Sequence, residues 1–171
     1  TNNSVREAAL HAIVENGETL TEESMSDALR RGIKVNPLLS SAVKNAGEVL
    51  VQVTKDLSGS NMNDVVKELR LQCSSLEDKS IQILLKNQRY AVLGRWLQGK
   101  KSEEFDALRW TIIRNQSVSS IERARLLERL IGRCGEPEIA RENRIFLEEC
   151  EDDLLRVTAE NLSTASTELG L

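Results

Sequence analysis

Residues that build sheets and long loops are scarce in this chain of 171 amino acids. Only 3% of it is aromatic (two Trp, two Phe, one Tyr), and it holds two prolines and nine glycines. Alternations of Val, Thr and Tyr that would suit a pleated surface are few, so a sheet-based fold is not expected. Histidine occurs once, at His11, and the three cysteines, Cys73, Cys134 and Cys150, share no close spacing. That excludes a zinc pattern, and the odd thiol count fits small buried side chains in a reducing compartment. No apolar run nears the roughly 18 residues of a membrane span. The opening TNNSVREAAL has no basic start followed by an apolar core. No secretory signal is therefore expected, and the location read from the sequence is cytoplasmic.

Catalytic patterns are missing as well. His11 stands within one helical turn of Glu7, Ala8 and Glu15, with no nucleophile indicated nearby, and fits a paired structural or surface histidine. Gly94 to Gly99 lacks both the glycine spacing and the preceding strand of a nucleotide-binding fingerprint. Cys134 is placed near a helix C-terminus, which raises a thiol pKa instead of activating it. The acidic run Glu148-Glu149-Cys150-Glu151-Asp152-Asp153 is read as a solvated helix face, since consecutive helical residues fan around the axis and cannot converge on a cation. The expectation is a protein that is not an enzyme and has no cofactor or metal.

What the chain does have is helix-forming sequence with regular stops. Hydrophobic residues make up 40% and charged residues 29%, enough apolar surface to build a core. A first helix is expected over Ser4 to Glu15, with Val5, Ala8, Ala9, Ala12 and Ile13 inward and Gly17 as its stop. Thr21 reads as the cap of a short helix ending at Gly32. Asn36 and Pro37 then open a five-turn helix whose apolar stripe runs from Leu39 to Leu57. Ser58 to Asn61 reads as a linker. After it, Met62, Val66, Leu69 and Cys73 make a short stripe. Ser75 with Asp78 is expected to cap a helix through Ile81, Leu84 and Leu85, and further starts are placed near 88, 102, 119 and 137. Inward positions after Ser119 are Ile121, Ala124, Leu127, Leu130 and Ile131. The final long helix, from Glu136-Pro137, carries Ile139, Phe146, Cys150, Leu154 and Val157. The resulting expectation is an all-α fold of seven to nine helices, an irregular helical bundle or a short stack of antiparallel helical hairpins. It would form one domain over 1–161, with 58–61 as the place where two lobes would divide, and 162–171 as a flexible tail.

Charge is spread unevenly. Residues 1–78 carry a net −4, residues 79–133 a net +7 and residues 134–171 a net −7. The basic segment holds four of the five aromatic residues, and no acid stands between Lys79 and Ser102. Arg125, Arg129 and Arg133 recur at i, i+4, i+8, which on one helix gives a ladder of guanidinium groups. The opposing expectation is that the acidic final segment packs beside the basic one and cancels its field.

These patterns point to a helical protein-protein interaction domain, an adaptor or scaffold. It would bind an acidic or amphipathic partner segment through Arg89, Arg95, Lys100, Lys101, Arg125, Arg129 and Arg133. The second expectation is nucleic-acid binding through the same ladder. The third is a self-associating structural protein, a homo-oligomer in which residues 79–133 of one copy meet residues 134–171 of another.

Overall fold

A computed structural model describes residues 3–34, 38–55, 57–131, 133 and 135–168. Among them there are eleven α-helices, one short 3-10 turn and no strand. The all-α expectation holds, and the helix count exceeds the seven to nine expected. The chain divides into two compact units, Thr1–Trp96 and Leu97–Leu171.

The first unit opens with α1 (Asn3–Glu15) and α2 (Glu22–Arg30). Thr21 caps α2 as expected, its side chain accepting from the Ser24 N–H at 3.2 Å, and Glu22 and Glu23 fill the first turn, where the helix dipole favours them. The expected inward stripe of α1 is a correction: no residue of α1 is buried, and Val5 is 60% exposed. The stripe consists chiefly of alanines, whose methyl groups remove little apolar area from water, so little drives that face inward.

The single helix expected from Pro37 to Leu57 is two helices, α3 (Leu39–Asn45) and α4 (Glu48–Val53). Asn36 and Pro37, expected to open it, lie outside the described residues. The break is at Ala46, which adopts the left-handed conformation with φ 44°. Leu20 explains why. Its N–H donates to Ser41 Oγ at 2.8 Å, and its carbonyl accepts from Asn45 Nδ2 at 2.6 Å. Both partners are on α3, so contacts more than twenty residues apart fix where that helix stops. Gly47 follows under the Glu22 carboxylate, where a Cβ would come within 1.7 Å of Oε1. The apolar stripe survives the break: Leu39, Ala42, Val43, Val49, Leu50 and Val53 are all buried.

Residues 58–61, expected as a linker, carry the start of α5 (Gly59–Gln72), with Ser58 at its N-cap position. α5 buries Met62, Val65, Val66 and Leu69. The next helix, α6 (Lys79–Lys86), starts later than Ser75, because Asp78 occupies the cap position. The Asp78 carboxylate reaches back and accepts from the N–H groups of Ser74 and Ser75 at 2.7 and 2.9 Å. α7 (Tyr90–Leu97) carries Trp96, fully buried, to the end of the unit.

Three helix ends in this unit share one stop. After α1, α2 and α6, the second residue past the cap donates back five positions and the one before it donates back three, a Schellman arrangement. It needs a left-handed residue at its centre. Gly17 and Gly32 supply one with φ 75° and 71°, whereas at α6 the position falls to Gln88, exposed, with φ 55°. Gln88→Gly should therefore stabilise the protein by about 0.5–1 kcal/mol, the left-handed cost of a side chain less the extra unfolded-state entropy of glycine. A urea melt checks this, and a variant no more stable than the parent would contradict it.

The second unit begins with a 3-10 turn (Glu103–Phe105) leading into α8 (Asp106–Ile113), followed by α9 (Ser120–Ile131). The expected last helix is two, α10 (Pro137–Glu149) and α11 (Asp153–Glu168). α11 packs along α9 and pairs with α10. Leu154 and Val157, expected inward, are 47% and 56% exposed, while Leu155, Ala159 and Leu162 are fully buried. The break moves the register of the stripe by one residue. It also draws residues 162–168 into α11, where a flexible tail was expected.

Candidate protein-binding face

Seven basic residues were expected to form one surface, and the structure gives them different tasks. In the first unit, Arg89 is half-buried and donates through Nε and Nη2 to the Val51 carbonyl at 3.3 and 3.2 Å. Arg95 donates to the Asn63 side chain. Both guanidinium groups tie helices of that unit together. In the second unit, the Lys100 ammonium stands 5.9 Å from the Phe105 ring centroid, and Lys101 is exposed.

Arg133 does not continue the ladder. α9 ends at Ile131, so the i, i+8 relation to Arg125 is lost and the side chain turns into an ion cluster. Its Nη1 is 2.7 Å from Asp106, and its Nη2 is 2.5 Å from Glu136 and 3.8 Å from Glu103. The hydrogen bond to Glu136, with help from Asp106, raises the Arg133 pKa and holds the guanidinium charged. Asp106 also accepts from Arg109, which is 2% exposed. One carboxylate thus bridges two arginines from α8 and the α9–α10 connection.

Part of the charge imbalance is settled in the same way within this unit. Arg114 pairs with Glu142 at 2.8 Å, and Arg123 with Asp152 at 3.4 Å. Asp152 sits in the acidic run expected as a continuous helix face. The run is instead where α10 stops and α11 starts, since Asp152 acts as a cap: it accepts from the Leu155 N–H at 3.1 Å and from Ser120 Oγ on α9. Glu148, Glu149, Glu151 and Asp153 around it are exposed. Among the described residues no cluster of His, Cys, Asp and Glu has a metal-binding arrangement. Cys73 and Cys150 are buried free thiols, and Cys134 lies outside the described residues.

These pairings set an acid limb. The Ser120 hydroxyl and the Leu155 N–H hold Asp152 below the usual carboxylate range, the Arg133 hydrogen bond does so for Glu136, and Arg114 does so for Glu142. A carboxylate whose folded pKa is depressed contributes stability that is complete above its unfolded pKa and lost as pH falls through the folded one. Thermal stability should be level above about pH 5 and fall below about pH 4. Asp152→Asn, which keeps a capping oxygen without the charge, should flatten that fall. Circular-dichroism melts from pH 7 to 2 decide it, and an unchanged acid limb in the variant would remove Asp152 from the account.

What remains open on α9 is a narrow strip. Ser119 caps the helix, its Oγ accepting from the Glu122 N–H at 3.3 Å, and Ala124, Leu126, Leu127 and Leu130 are buried. Ile121, expected inward, is 59% exposed. Arg125 and Arg129 follow it at i+4 and i+8, both exposed. Arg125 makes one long contact to Glu122 at 3.4 Å, and Arg129 has no ion pair among the described residues. Glu128 is exposed on the same side of the helix and offsets part of their charge. The strip that survives is thus Ile121, Arg125 and Arg129. The apolar member was missed because position 121 also fits the inward spacing of 124, 127 and 130; the four-residue step to Arg125 was the signal available. Among the described residues no helix is long and apolar enough to cross a membrane. No family model matches this chain, and neither a curated protein nor a solved structure matches it.

Proposed function

We propose that this chain is a non-enzymatic helical binding module, an adaptor or scaffold, whose α9 strip receives an acidic, amphipathic segment of another protein. The observation that carries this reading is the exposed row Ile121, Arg125, Arg129, one apolar anchor and two cations on a single helix face. A partner helix with an apolar residue and two carboxylates at matching steps would bury Ile121 and meet both guanidinium groups. Burial of the anchor supplies affinity, and the charges supply orientation and encounter rate.

The test compares immobilised wild type with the double variant R125E/R129E, with bound proteins quantified from a cell extract at two salt concentrations. Acidic partners should drop about tenfold or more on the variant and weaken with salt on the wild type. Identical retention by both proteins would overturn the surface. A parallel titration with labelled oligonucleotides separates the nucleic-acid alternative, which requires affinity to fall linearly on a log–log salt plot with a slope set by the phosphates neutralised. Light scattering of the isolated chain at both salts separates self-association.

A further inference from the structure

A second site lies in the Leu97–Leu171 unit and shares no residue with the α9 strip. A cleft of about 660 Å³ opens between the 3-10 turn, α8 and the start of α10. Its deep residues are Trp110 and Ile139, 4% and 2% exposed. Six carboxylates line it against two arginines, Arg114 and Arg133. Arg133 is already held by Asp106 and Glu136, so the cleft as a whole has an excess of negative charge. An aromatic face with carboxylates around it is a seat for a cation, because the ring quadrupole and the acids attract the same sign.

The molecule supplies such a cation itself. The Arg114 guanidinium stands over Trp110, 5.3 Å from the ring centroid, and its Nη2 is 2.8 Å from Glu142. Its side chain is still 34% exposed, so it rests on the seat without being locked there. Trp110 makes a separate point. Its indole N–H is buried and has no acceptor among the described residues, although buried donors are nearly always paired. A ligand with both a guanidinium and a carbonyl would suit both features, and an arginine within a peptide has both.

We propose that this cleft binds an arginine side chain of a basic peptide segment, which displaces Arg114 from Trp110 and Glu142 and brings a backbone carbonyl to the indole N–H. Arg114 is then an internal competitor, and the affinity of the cleft is set by how readily it swings out.

The experiment is a titration of the isotope-labelled chain, followed at the assigned Trp110 indole N–H signal by NMR. The probe is N-acetyl-arginine N-methylamide, and its control is the citrulline analogue, which has nearly the same shape and no charge. The expected result is a saturable shift with the arginine probe and none with citrulline. Arg114→Ala, which removes the competitor from an exposed position, should bind the arginine probe about fivefold tighter. No saturable shift at Trp110 in either protein would overturn the site, and equal shifts from both probes would overturn the cation seat. An Arg114→Ala protein that folds and binds no tighter would overturn the role given to Arg114. If that variant does not fold, the arginine–citrulline comparison on the wild type decides alone. Because the readout is at Trp110, failure here leaves the α9 strip untouched, and R125E/R129E leaves this cleft untouched.

Discussion

Arg109→Met is expected to destabilise the Leu97–Leu171 unit by about 3 kcal/mol, measured by urea unfolding. The guanidinium is 2% exposed and works as a fork. It donates to the Ser102 carbonyl at 3.0 Å, to the Lys100 carbonyl at 2.5 Å and to the Asp106 carboxylate. Phe105 packs beside it, with the guanidinium carbon 6.0 Å from the ring centroid. These contacts close the segment 100–106 onto α8. Methionine fills much of the volume but removes the guanidinium's donors from the Ser102 and Lys100 carbonyls and from Asp106, which keeps its pairing with Arg133. Arg109→Lys should recover little of the loss, because a single ammonium cannot span three acceptors held in a planar fork. A loss below about 1 kcal/mol in Arg109→Met would mean that water serves these acceptors as well as the guanidinium does.

The second large effect is a contrast within one helix. Leu126→Ala should cost about 3 kcal/mol, the usual range for emptying a fully buried leucine site, whereas Ile121→Ala should cost under about 0.5 kcal/mol. Leu126 is 0% exposed and Ile121 is 59% exposed. The spacing 121, 124, 127, 130 made the opposite assignment equally reasonable. Comparable losses from the two variants would place the buried face of α9 where the sequence put it and remove Ile121 from the proposed strip. A small loss at Ile121 together with reduced partner capture would give that side chain a binding role separate from folding.

Helix identity is decided locally. Thr21 before two glutamates, Gly17 and Gly32 as stops, and Ser119 before a run of arginines and leucines act through neighbours no more than six residues away. Their outcome was therefore legible in the linear chain. So was the segregation of charge, which is a matter of composition. The first helix was legible in its bounds but not in its burial, since alanines satisfy an apolar pattern without driving much area out of water.

Distant contacts decided the rest. An apolar period runs unbroken through Ala46 and through Cys150, and nothing in its spacing marks a break. The first break depends on Leu20 meeting Ser41 and Asn45, and the second on Asp152 meeting Ser120 and Arg123, about thirty residues away in the chain. The candidate face followed the same rule. That residues 79–133 are basic was evident from the sequence alone, but which arginines stay free was settled by the fold. Arg133 reaches Asp106, Arg123 reaches Asp152 and Arg114 reaches Glu142, and Arg125 and Arg129 are left toward water. The sequence by itself determined where helices form and where charge is concentrated, because both depend on near neighbours. Only the tertiary structure decided where helices break, which face each one buries and which charges remain to meet a partner, because each of those depends on residues brought together by folding.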